Sequence, residues 1–255
     1  MKKDTSTECW NNFSTQWIKW VETPDDNDYR SNIIMPFTLK SLGNVSGKTL
    51  LDIGCGEGGY SRALAKSGAI VTAVDCSEAH IDYAVKKATD EGLSITHLLR
   101  NSCDLEGIAD GSFDIVLSSM MLMDCEDFDG TVKEIARVLK PNGRVFASVM
   151  HPCFNGEKMY VKGKRLGKRI LVVEDYYNPT IWSAPMGKGK GQPEVLFRHR
   201  TLEDYVKTFT KHGLRLTDLH EPIPDKEQVK LSHRFERLTR IPMFLFFELV
   251  KEVSQ

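Results

Sequence analysis

Leu51-Asp52-Ile53-Gly54-Cys55-Gly56-Glu57-Gly58-Gly59 is the stretch that decides how this chain is read. The apolar run Thr49 to Ile53 has the length of a buried strand, and Tyr60 to Ser67 is helical in pattern, closed by Gly68. Glycines between strand and helix let the backbone turn sharply and let a ligand come close. A helix that begins at such a loop aims its free amides at that ligand. The second strand, Ala69 to Asp75, ends on a carboxylate suited to the two hydroxyls of a ribose. Gly54, Gly56 and Gly59 also satisfy the Gly-x-Gly-x-x-Gly of dinucleotide sites, and Asp75 serves that reading equally. Asp52 separates the two. It would repel a pyrophosphate at this turn and attract a cationic cofactor.

The strand–helix rhythm continues outward. Ser77 caps a helix from Glu78 to Asp90. Strands follow at Ile95 to Leu99 and Phe113 to Ser118, then a helix from Asp127 to Leu139 stopped by Pro141-Asn142-Gly143, then a strand from Arg144 to Met150. Such repeats imply a parallel sheet covered on both faces. Residues 5 to 43 read as helical, broken at Thr23-Pro24-Asp25-Asp26, with a second helix starting near Tyr29. Trp10, Trp17 and Trp20 share one helical face with Phe13 beside them, and are read as a packing stripe. After Met150 the rhythm lapses until a helix from Thr201 to His212, and Leu214 to Leu219 and Met243 to Val250 read as final strands. A stretch as long as 151–200 inside a compact domain is read as a functional insertion or lid.

Composition narrows the class. The chain has 255 residues and a formal net charge of -1, so no global field draws it to nucleic acid or a membrane. The opening MKKDTSTECW lacks the apolar core of a signal peptide, and no run is long enough to span a bilayer, so a cytoplasmic setting is expected. Six scattered cysteines without a Cys-x-x-Cys pair argue against a disulfide framework or a zinc site, and no metal is expected. The basic run Lys158, Lys162, Lys164, Arg165, Lys168 and Arg169 is read as a solvated loop or hairpin rather than an RNA contact. Tyr176, Tyr177 and Trp182 in the same insertion can wall a planar acceptor or anchor the insertion to the core.

The ordered motifs resemble those of class I S-adenosylmethionine-dependent methyltransferases. Asp52-x-Gly54-x-Gly56-x-Gly58 resembles the family's first motif, Val74-Asp75 its acidic ribose motif, and Cys103-Asp104-Leu105 its adenine-contacting segment. Ser112 to Val116 and Glu134 to Gly143 resemble its fourth-strand and fifth-strand motifs, so the likeness covers roughly residues 47 to 152. His151-Pro152-Cys153-Phe154, Phe197 to Leu202 and Glu221-Pro222 resemble a small-molecule subgroup.

The resemblance implies an α/β three-layer sandwich. Its seven-stranded sheet would be mostly parallel with an antiparallel final strand, with an N-terminal helical cap (1–46) and a catalytic domain (47–255) carrying the 151–200 insertion after the fifth strand. It implies S-adenosylmethionine as cofactor, leaving S-adenosylhomocysteine, and a small-molecule acceptor, in a monomer or homodimer without nucleic acid or membrane partner. Asp52 would help hold the methionine amine. Gly54, Cys55 and Gly56 would carry the backbone past the methionine part. Asp75 and Cys76 would lie at the ribose, Asp104 and Leu105 at the adenine, and Ser118 or Ser119 near the donor methyl.

A base is needed only for an acceptor that arrives protonated, and Asp124, His151 and His199 are its candidates. His151 reads equally as a structural histidine, His199 as a helix-start residue and Asp124 as part of an acidic first helical turn. A nicotinamide-dependent oxidoreductase and a cofactor-binding module without catalysis remain as alternatives.

Overall fold

The computed structural model describes residues 4–24, 28–156, 159–165, 168–185 and 194–252; side chains at 159–165, 168–170 and 185 lie outside that description. Helix α1 (Thr5–Glu22) is capped by Asp4, whose carboxylate accepts from the Thr7 N–H. A single π turn over Arg30–Ile34 leads into α2 (Met35–Leu42). Then come β1 (Thr49–Ile53), α3 (Gly59–Lys66), β2 (Ile70–Asp75), α4 (Glu78–Asp90), β3 (Thr96–Leu99), β4 (Phe113–Ser119), α5 (Phe128–Val138) and β5 (Leu139–Met150). Two strand pairs follow, β6 (Met159–Arg165) with β7 (Lys168–Val173) and β8 (Ile181–Pro185) with β9 (Glu194–Arg198). The chain then adds α6 (Leu202–Lys211), β10 (Leu214–His220), the short α7 (Lys226–Leu231) and α8 (His233–Leu238), and β11 (Phe244–Lys251).

Seven strands form one sheet in the order β10-β11-β5-β4-β1-β2-β3. The order reverses direction between β1 and β4, the switch point where open α/β sheets bind ligands. Strands β1 to β5 run parallel, and β11 lies antiparallel between β5 and β10. The apolar runs of β1, β4 and β11 are buried because helices cover both faces. One face packs Val132, Ile135, Tyr205 and Phe209 against Val116, Val145 and Phe247; the other packs Ile34, Tyr60 and Leu64 against Leu50, Leu117 and Phe246.

Three details depart from the sequence pattern. Pro141-Asn142-Gly143 does not precede β5 but sits inside it, as an irregularity between the Phe113/Leu139 and Ile115/Arg144 pairs, with Asn142 at φ +60°. The 151–200 stretch is not structureless, since its local hydrogen bonding is spent on two antiparallel pairs. At the basic run, read as a loop or a hairpin, the backbone of β6 and β7 forms an antiparallel pair, while Lys158 and those basic side chains lie outside the described residues. The helices α7 and α8 were not legible, each being only six residues long.

Candidate functional site

A cavity of about 940 Å³ opens above the carboxyl ends of β1, β2, β4 and β5. Its floor comes from the loops that leave those strands, and its roof from α1 and the β8–β9 pair. Gly54, Cys55 and Gly56 form one wall, with Gly54 at φ +73° and Gly56 at φ +55°. A Cβ at Gly54 would stand 2.3 Å from Met121 Cγ, so the closeness of the loop to the β4 exit requires glycine there. Asp75 ends β2 at the same wall. Its Oδ2 accepts from the Gly56 N–H at 2.8 Å and its Oδ1 from the Ser77 N–H at 2.9 Å. Those two bonds fix the carboxylate and leave it lone pairs for hydroxyl donors.

Asp52 is fully buried and is not a wall residue. Its Oδ2 accepts from Ser61 Oγ at 2.5 Å. Burial first, then the charges of Glu57 and Asp75, push its carboxyl up to about 7 despite the Ser61 bond. Glu57 is buried beside it and paired with Arg30 at 2.5 Å. Arg30 in turn lies over the Tyr60 ring, 5.3 Å from its centroid. Three carboxyl groups, Asp52, Glu57 and Asp75, stand here against the guanidinium groups of Arg30 and of Arg62, which donates to the Glu57 carbonyl at 2.7 Å, so the loop favours a cation over a phosphate.

The cavity reaches past the loop to Ser119, Met120, Met121, Met123 and Asp124. Met120 is held at φ +58°, with its N–H shared between the Ser148 carbonyl at 2.9 Å and Ser148 Oγ at 3.1 Å. A bulky residue in the left-handed region is a strained one, and such strain gathers at ligand sites. Asp124 is 6% exposed, and its carboxylate accepts no hydrogen bond among the described residues. Burial raises its carboxyl to about 7, the charges of Arg198 and Arg200 opposing the rise. Around Asp124 the backbone is tied down: its carbonyl accepts from Ser6 Oγ at 2.5 Å and Arg198 Nη1 at 2.9 Å. Arg200 donates to the Leu122 and Met123 carbonyls at 3.2 and 3.0 Å, and also to that of Cys125.

The structure brings Gly54, Cys55, Gly56, Asp75, Cys76, Ser119 and Asp124 to this one cavity. It places the other expected site residues elsewhere. Leu105 is a core residue, and Asp104 is not on the wall; Arg100, Asn101 and Ser102, just upstream, are there instead. Ser118 is fully buried and off the wall, because neighbouring residues on β4 face opposite ways.

The structure sets His151 away from the cavity. It is not on the wall, its Nε2 meets Glu221 Oε1 at 2.7 Å, and its Nδ1 accepts from the Cys153 N–H at 3.2 Å. Both nitrogens are thus engaged within the fold, and burial lowers its pKa against the pull of Glu221. His199 is likewise engaged elsewhere. It lies off the wall with Nε2 on the Tyr176 carbonyl at 2.7 Å. Trp10, Trp17 and Trp20 do pack around Phe13, with ring centroids 5.7, 6.5 and 5.4 Å from it, but they also have a second face. All three are half-buried and line the cavity, while Phe13 alone is fully enclosed. Arg30, His80 and Asn101 were missed; Arg30 and Asn101 carry no motif, and His80 is one ordinary position of a helix.

Comparison with known proteins now bears on this geometry. Residues 51–147 match the family described as a methyltransferase domain, and they span β1 through most of β5. This segment of the chain, which carries the glycine loop and Asp75, is similar to a methyltransferase domain. A solved structure from Listeria monocytogenes, described as an S-adenosylmethionine-dependent methyltransferase, is 27% identical with a TM-score of 0.72; the match covers 86% of this chain and 97% of that one. A second from Mesorhizobium loti, at 23% identity and TM-score 0.72, covers 84% and 96% and shows the same fold. Among curated proteins, the ubiquinone biosynthesis O-methyltransferase of Coxiella burnetii is 37% identical over 128 residues, 48% of this chain and 53% of the relative. The chain thus spans about half the length of the curated relatives it matches. Among the described residues no helix is long and apolar enough to cross a membrane, and no cluster of metal-ligating side chains occurs.

Proposed function

We propose that the chain transfers a methyl group from S-adenosylmethionine to an oxygen of a small, largely planar acceptor. One observation carries this reading: a single cavity holds the glycine loop and Asp75 at one end and the unpartnered, buried Asp124 carboxylate beyond it. The cofactor fits the residues present. Asp75 has spare acceptor capacity for a ribose, and the buried carboxyl groups of Asp52 and Glu57 favour an ammonium and a sulfonium. Arg30, beside the loop, offers its guanidinium to a carboxylate. Bound there, S-adenosylmethionine supplies a methyl group already activated for in-line displacement.

The protein's task is then to hold the acceptor in line and take its proton. We assign the second task to Asp124, whose carboxyl is raised to about 7 and accepts no hydrogen bond among the described residues. The rest of the wall is mostly soft and apolar: Met120, Met121, Met123, Met150 and Met243, with Trp182 stacked on Phe197 at 5.4 Å. Methionines adapt to flat apolar ligands, and tryptophan faces stack on them. A volume near 940 Å³ lies at the top of the ~300–1,000 Å³ range for one ligand, which leaves room for an acceptor beside a nucleoside. Oxygen is assigned because matched curated relatives from Coxiella burnetii and Pasteurella multocida are O-methyltransferases.

The test is transfer of labelled methyl from S-adenosylmethionine to a panel of aromatic hydroxyls, aliphatic alcohols and amines. Turnover confined to the aromatic hydroxyls supports the reading. Turnover confined to amines overturns the oxygen assignment, and no turnover with any acceptor class removes the catalytic one.

A further inference from the structure

His80 sits in the first turn of α4, five residues after Asp75, and lines the cavity. Only 2% of it is exposed, yet neither ring nitrogen has a hydrogen-bond partner. Its Nδ1 stands 3.5 Å from Asp75 Oδ1, just beyond a good hydrogen bond. Trp10 of the roof covers it, with ring centroids 5.9 Å apart. Its backbone N–H is already used by the Ser77 cap at 3.4 Å, so the capping of α4 does not need the ring. A buried imidazole with two empty nitrogens is costly, and a plain packing role at this position would be met at less cost by an apolar side chain. Nδ1 is thus the ring nitrogen beside the Asp75 carboxylate, whose own spare lone pairs want hydroxyl donors.

We propose that His80 is a cofactor-binding residue that reads the ribose diol together with Asp75. Asp75 accepts hydrogen bonds from the hydroxyls, and His80 supplies the complementary bond to a ribose oxygen that the carboxylate cannot make. This rests on S-adenosylmethionine being the cofactor. Trp10, lying over the ring, seals the pair from water.

Calorimetric titration tests it, with S-adenosylhomocysteine and its 2′-deoxy and 3′-deoxy analogues as probes. The proteins are the wild type, His80→Phe, which keeps a ring to pack under Trp10, and His80→Gln, which keeps a hydrogen-bonding end. His80→Phe is expected to weaken S-adenosylhomocysteine about tenfold or more. It is also expected to shrink the wild type's discrimination against at least one deoxy analogue, with His80→Gln falling between. The ligand-free His80→Phe protein is expected to melt higher than wild type, since it no longer buries two unpaired nitrogens. If wild type binds S-adenosylhomocysteine and both variants bind it and discriminate as wild type does, the proposal is wrong while the cofactor stands. If wild type binds none of the three ligands, the cofactor reading itself fails and takes this proposal with it.

Discussion

Asp124 is where protein stability and chemistry pull against each other. A carboxyl ordinarily near 3.8 is held up to about 7 by burial. Between those two values the folded chain keeps a proton that the unfolded chain has released. Stability therefore falls as pH rises through that window, and the penalty is complete above pH 7. Asp124→Asn should raise the melting temperature at pH 8 and change it little at pH 4, which differential scanning calorimetry can check. The same substitution should cut methyl transfer by about 10²–10⁴-fold and abolish the rise of kcat/KM with pH through about 7. An unaltered pH limb in Asp124→Asn would place the base elsewhere. Asp75→Ala should leave the fold intact and weaken S-adenosylhomocysteine by about 1.5–3 kcal/mol per charge-assisted bond lost, read by titration. At this scale the sequence was informative where a motif constrains backbone: Gly54, Gly56 and Asp75 could be named because a tight turn and a strand end dictate them. It could not place His151, which follows β5 as a base could but whose ring Glu221 and Cys153 engage from positions that only the fold brings near.

Elements carry the next level of control. The β1 exit and the β4 exit touch at Gly54 and Met121, so a methyl group at residue 54 must displace one of them. With φ at +73° adding strain, Gly54→Ala is expected to destabilise the protein by about 1 kcal/mol or more and to weaken cofactor binding further. A thermal melt and a titration on one preparation would separate the two effects. The β4–α5 loop is pinned by Arg200 and Arg198 through its carbonyls. Arg200→Ala should slow transfer more than it weakens S-adenosylhomocysteine, because it loosens Asp124 and leaves the glycine loop alone. Equal losses in rate and binding would mean that the loop shapes the cofactor end as well. The sheet strands and the long helices were legible because their apolar periodicity survives in any context. The β8–β9 pair was not, since strands of only five residues each show too little alternation to mark a buried face, and the basic run of β6–β7 read equally as a loop or a hairpin.

Across the whole molecule, the site lies between two bodies of sequence that the motifs do not connect. The parallel sheet supplies the floor, while α1 and β8–β9 close over it. Hydrogen bonds from Arg198 to Thr5 at 2.6 Å, from Tyr83 to Glu22 at 2.8 Å and from Asn101 to Asp4 at 3.0 Å hold α1 down. A nucleoside cofactor under Trp10 and Trp17 must enter past this roof. Amides of α1 and of β8–β9 should therefore exchange faster than those of β1 and β4 without ligand, and slow down with S-adenosylhomocysteine. The Trp stripe was legible as a helical face, but whether that face met core or cavity depended on where a distant sheet placed its loops. Calorimetric titration of the purified protein with S-adenosylhomocysteine, with NAD as comparator, tests the central claim most directly. One-to-one binding of S-adenosylhomocysteine with no heat from NAD is the expected result; NAD binding without S-adenosylhomocysteine binding would contradict a methyl-transfer site.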